Sequence, residues 1–146
     1  GNTQLGIWHD SNTAKQDWAF AYNAQVTPGT GNFIFTTKDT NGLITSITRS
    51  PGPLPATNTW YHIVLGFDGS NIWMSIDGAR TVQPLAFGSL GVRRGDTRLT
   101  IGSDDSQAGS GLGIYDECAY FNYSLSPAQV LYAFNAGAGR PLDQLP

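Results

Sequence analysis

The 146-residue chain contains one cysteine, Cys118, one methionine, two lysines and one glutamate. A single cysteine excludes an internal disulfide, a thiolate metal cluster and a Cys-x-x-Cys redox pair; on a strand it serves as a small hydrophobe. Its two histidines, His9 and His62, are far apart, so no zinc-ligand spacing is present. Shortage of Lys and Glu, with abundant Gly, Ser, Thr and Asn, makes a poor recipe for helices. Basic residues cluster only at Arg93-Arg94 and Arg98 within a net charge of -3, which argues against a nucleic-acid groove. No stretch reaches the ~18 consecutive apolar residues of a bilayer-spanning helix, and no basic-then-apolar signal opens the chain. Because the first residue is Gly1 rather than Met, the chain is expected to be processed or a piece of something longer.

What is there is alternation. In Trp60 to Val82, Ile63, Leu65 and Phe67 share one face of a strand, and Ile72, Met74 and Ile76 share one face of the next. With Asp68-Gly69-Ser70-Asn71 as the loop, Phe67 lies opposite Ile72, Leu65 opposite Met74 and Ile63 opposite Ile76, so each cross-strand pair on that face is apolar. The other face carries Val64, Gly66, Trp73 and Ser75, with Trp73 across from Gly66. Asp77-Gly78 supplies the positive φ of a second tight turn, before a short strand Arg80 to Val82.

The remaining residues extend the pattern. Strands are expected over Thr3 to Trp8, Asp17 to Asn23 (Trp18, Phe20 and Tyr22 on one face), Asn32 to Thr37, Leu43 to Thr48, Arg98 to Gly102 and Leu112 to Phe121. Turns or loops separate them at Asp10-Ser11-Asn12, Thr27 to Gly31, Asn41-Gly42, the proline-rich Ser50 to Pro55 and Ser103 to Gly111. Leu85, Phe87, Leu90 and Val92 tuck the long connection Gln83 to Gly95 onto the core. Ser126-Pro127-Ala128-Gln129 reads as a capping box opening a helix over Pro127 to Asn135, with Val130, Leu131 and Phe134 facing inward and Gly137 ending it. About nine short strands and one helix predict an all-β antiparallel sandwich formed by one domain, residues 1-140, with a tail over 141-146.

Five motifs in register over residues 60 to 135 resemble the laminin-G-like branch of the concanavalin A-like lectin/glucanase superfamily. They are Trp60-x-His62, Asp68-Gly69-Ser70, Ile76-Asp77-Gly78, Leu99-Thr100-Ile101-Gly102, and Gly113-Ile114-Tyr115-Asp116-Glu117 followed by Asn122-Tyr123-Ser124-Leu125-Ser126. The resemblance implies a jelly-roll β-sandwich that binds glycans or proteins without catalysis. Members carry roughly two further strands before the region matching Thr3 to Trp8, so a preceding segment or a neighbouring chain is expected to complete the sheets here.

Catalysis by the glucanase route needs two carboxylates ~5 to 5.5 Å apart, and Glu117 is the chain's only glutamate. Asp104-Asp105 and Asp116 could supply an acid pair, but adjacent strand positions point to opposite faces. No Gly-x-Ser-x-Gly elbow accompanies either histidine. Asp116 shares parity with Cys118 and Tyr120 and is expected to point inward, where it either caps backbone N-H groups or meets a cation; in the family that position often meets calcium. Asp104 and Asp105, on an oxygen-rich loop, are the other calcium candidates.

Sugar rings present apolar C-H faces, which Trp or Tyr on a sheet can meet. Trp73 on the hairpin's outer face is the first candidate; Trp8, with Asp10 and Asn12 in the loop beside it, is the second. Trp60 is expected to be structural. The sequence thus points to an extracellular or surface-displayed recognition module for glycan or protein, or else to a structural or decoration subunit of a virion or extracellular fibre.

Overall fold

A computed structural model describes residues 4–9, 18–24, 31–38, 43–49, 59–85, 99–101, 114–141 and 143. Eight strands and one α-helix are present among them: β1 (Gln4–His9), β2 (Trp18–Ala24), β3 (Gly31–Lys38), β4 (Ile44–Arg49), β5 (Ile63–Phe67), β6 (Asn71–Ile76), β7 (Ala79–Pro84), β8 (Leu99–Ile101) and α1 (Pro127–Phe134). All pairings are antiparallel, in a five-stranded sheet ordered β4-β3-β2-β1-β8 and a three-stranded sheet ordered β5-β6-β7.

The alternating residues of β5 and β6 form the predicted hairpin, with Ile63 opposite Ile76, Leu65 opposite Met74, Phe67 opposite Ile72 and Gly66 opposite Trp73. Its loop is tied by Asp68, whose Oδ1 accepts from the backbone N–H of Ser70 at 3.1 Å and of Asn71 at 2.8 Å, while Gly69 takes a φ of 101°. Those two donors hold the Asp68 carboxyl below its ordinary pKa. At the second turn both Asp77 (φ 50°) and Gly78 (φ 77°) are left-handed, as a two-residue hairpin connection requires.

Between the sheets lies one apolar layer. Phe20, Phe33, Phe35 and Ile47 of the larger sheet meet Ile72, Met74 and Ile76 of the smaller, with Leu85 closing the layer and Trp18, Tyr61, Ile63, Leu65 and Phe67 packed at its margins. Phe20 stacks on Phe33 at 5.8 Å between ring centroids, and Tyr61 meets Phe33 edge-on at 5.7 Å. The Arg49 guanidinium donates to the Ala79 carbonyl, joining β4 to β7 across the sandwich.

A third layer covers the other side of the small sheet. Helix α1 opens with the expected capping box: Ser126 Oγ accepts from the Gln129 N–H at 3.2 Å, and Gln129 Oε1 accepts from the Ser126 N–H at 2.9 Å. Its buried Val130 joins Leu125, Phe121 and Val64 around Trp73. Leu131, expected inward, is 55% exposed; the buried residues of the helix are Val130 and Ala133.

The expected strand Leu112 to Phe121 does not form over its described part. Residues 114–121 are irregular, and Asp116, Cys118 and Tyr120 face solvent. Glu117, with φ 48°, interrupts the extended path, so an alternating pattern without a paired neighbour produces no strand.

Candidate functional site

Trp73 is buried rather than presented to a ligand: it is 1% exposed. It lies on the outer face of the hairpin, as its parity with Val64 and Ser75 requires, but α1 and the segment leading into it close that face. The indole N–H donates to Ser124 Oγ at 3.1 Å, and the Arg80 guanidinium lies 4.2 Å from the ring centroid. Arg80 in turn approaches Asp68 Oδ2 at 3.9 Å. Gly66 makes room for the indole from below: a Cβ there would lie 2.2 Å from Trp73 Cζ2. These contacts assign Trp73 to packing.

Asp116 does not point inward. It is exposed, and its Oδ1 accepts from the adjacent Glu117 N–H at 2.9 Å, so the carboxylate caps local backbone. Among the described residues no three His, Cys, Asp or Glu side chains gather closely enough to hold a metal, and Asp116 with Glu117 falls short of the six to eight oxygens calcium takes. Asp104, Asp105, Asp10 and Asn12 lie outside the described residues.

His62 sits under the helix. Its N–H donates to Asp77 Oδ1 at 2.9 Å, the Asp77 N–H returns a bond to the His62 carbonyl at 2.9 Å, and the imidazole lies 5.8 Å from the Phe134 ring. Burial pushes its pKa below the ordinary value, against an opposing pull from the Asp77 carboxylate. No nucleophile is among these partners; the histidine ties a strand to a turn.

With the small sheet covered, the outer face of the five-stranded sheet becomes the candidate recognition surface. Residues directly opposite in a ladder share a face, and the registers generate cross-sheet rows. Trp8 lies opposite Ala19 on one side and Thr100 on the other, and the row continues through Thr36 to Ser46. The next row runs Gly6, Ala21, Ile34, Thr48, and the one after it Gln4, Asn23, Asn32. Thr36 Oγ1 and Ser46 Oγ are 3.0 Å apart, and Ser46 and Thr48 are exposed. The registers thus put the tryptophan position in line with Ala19, Thr36 and Ser46, with Ile34 and Thr48 in the adjacent row. Position 8 was legible in the sequence; Thr36 and Ser46 were not, because only the register brings them into line with it and sets Thr48 in the adjacent row.

Trp60 is 64% exposed where a structural role was expected; Tyr61 beside it takes the packing position against Phe33.

A sequence model of the concanavalin A-like lectin/glucanases superfamily matches residues 2–131. No curated protein matches. A solved structure, that of an S-layer domain-containing protein (residues 221-444) from Clostridium thermocellum, aligns at 16% identity and a TM-score of 0.45 over 92% of this chain and 64% of that chain. The chain thus spans slightly less than two thirds of the length of that structure.

Proposed function

The chain belongs to the concanavalin A-like lectin/glucanase superfamily, and from that premise we propose that it is a non-catalytic recognition module, extracellular or surface-displayed, that binds glycan on the outer face of its five-stranded sheet. The observation that carries this reading is the row Thr100, Trp8, Ala19, Thr36, Ser46. An aromatic position with a small neighbour offers an apolar platform, and flanking hydroxyls can exchange hydrogen bonds with sugar hydroxyls. Low charge on this face suits a neutral ligand.

The non-catalytic part rests on carboxylate supply. Glu117, the only glutamate, lies exposed beside Asp116, and sequence neighbours cannot flank a glycosidic bond from both sides. Calcium, if recognition uses it, draws on Asp104 and Asp105.

The test is a glycan array followed by titration of each hit. Binding that falls at least tenfold in Trp8→Ala and in Thr36→Arg, and is unchanged in Trp60→Ala, supports the reading. An array without hits, or binding lost only in Trp60→Ala, removes it.

A further inference from the structure

The two sheets differ in width, and the mismatch leaves a strand position empty beside β5 among the described residues. On the inner face of the large sheet one row runs Ile101, Ile7, Phe20, Phe35, Ile47. Phe20, Phe35 and Ile47 are 3 to 5% exposed, whereas Ile101 at the far end is 43% exposed. The small sheet shows the same boundary: β6 is buried from Ile72 to Ile76, but every residue of β5 is only half-buried, including the inward Ile63, Leu65 and Phe67. Among the described residues β5 pairs with β6 alone, and its other edge lies next to half-buried apolar surface.

The same chain carries a segment, 114–121, that joins no strand among the described residues, although its last residue, Phe121, packs beside Trp73. Residues 114–121 alternate as a strand would, yet Ile114 is 81% and Tyr120 78% exposed. Glu117 is held left-handed, and the Tyr115 hydroxyl is buried without a hydrogen-bond partner. Extended, the segment would place Ile114, Asp116, Cys118 and Tyr120 on one face and Tyr115, Glu117, Ala119 and Phe121 on the other.

We infer that the free edge of β5 is an interface for a second copy of this chain, which donates its residues 114–121 as the added strand. Each copy holds one acceptor edge and one donor segment, so reciprocal exchange closes a two-fold dimer. Donation straightens Glu117 out of the left-handed region and covers Ile114, Tyr120 and Ile101 together. The inference is independent of the glycan reading, which uses the opposite face of the other sheet.

Light scattering and amide hydrogen exchange across a protein concentration series test it. The expected result is a dimer whose 114–121 and Ile63–Phe67 amides become protected together as concentration rises. Glu117→Gly, which favours the bend, shifts the mass toward monomer, and Glu117→Val, which favours the strand, shifts it toward dimer. The double variant Ile114→Asp/Tyr120→Asp, altered only where the single copy is exposed, gives a folded monomer. A monomer with freely exchanging 114–121 amides overturns the inference. So does a monomer with those amides protected, since the segment then fills its own chain's edge, and so does a dimer that survives the double variant.

Discussion

Replacing Gly66 by alanine tests the buried layer around Trp73 at its tightest point. The added methyl would stand 2.2 Å from Trp73 Cζ2, 2.3 Å from Cε2 and 2.8 Å from Nε1, where carbon atoms pack at about 3.5 to 4.0 Å. Relief requires the indole to shift by more than about 1 Å. The ring cannot shift freely, because it is 1% exposed, bonded to Ser124, beneath Arg80, and flanked by Leu125 and Val130. Overpacking costs about 1 to 3 kcal/mol, loss of the indole hydrogen bond about 1, and disturbance of the Arg80 contact about 0.5 to 1. The sum is about 2.5 to 5 kcal/mol, or a fall in Tm on the order of 10 °C for a chain of this size. Urea denaturation of Gly66→Ala, Trp73→Leu and the double variant reads it. The double variant is expected to be less destabilised than the two singles added together, because a smaller residue at 73 leaves space for the methyl. Gly66→Ala within about 0.5 kcal/mol of the parent would refute the packing argument.

Three further outcomes are expected. Ser126→Ala removes the acceptor for the Gln129 N–H and lowers stability by about 1 kcal/mol, measured by denaturation, with loss of the helical circular-dichroism signal preceding that of the strands. His62 is held below its ordinary value of 6.5 by burial, so its contribution to stability is complete above that pH and is lost as pH falls through the depressed folded value; His62→Phe flattens this part of a Tm-against-pH curve. Chelation with EDTA leaves the Tm unchanged where only the described carboxylates are in play; a calcium-dependent rise that disappears in Asp104→Asn/Asp105→Asn would instead assign a cation to those two residues.

The hairpin was legible down to its register because its information is local. A two-residue period in β5 and β6 sets which side chains share a face, and an Asp-Gly-Ser-Asn loop with a turn-bonding Asp68 sets the offset between strands. The capping box of α1 was legible for the same reason. What periodicity does not contain is the identity of the layer that covers a face. Trp73 was placed on the correct side of its strand, but the docking of α1 over it is a tertiary event that only the pairing of Trp73 with Ser124, Leu125 and Val130 reveals. Asp116 and Cys118 fail by the complementary route: their segment has strand alternation, and alternation becomes a strand only beside a partner edge. Trp60 is exposed where a structural role was expected, and its neighbour Tyr61 is the one turned toward Phe33. Of the candidate recognition face only position 8 could be named from the sequence, since Thr36 reaches its row through two ladders and Ser46 through three, which no local pattern specifies.

Two-dimensional NMR of the chain titrated with a glycan identified on the array discriminates most directly between the two faces that could carry recognition. The predicted result is perturbation of the backbone amides of Thr36, Ser46 and Thr48, with the Trp73 indole N–H resonance unmoved. Perturbation centred on the Trp73 indole and on residues 121 to 134, with the five-stranded sheet silent, would contradict the assignment.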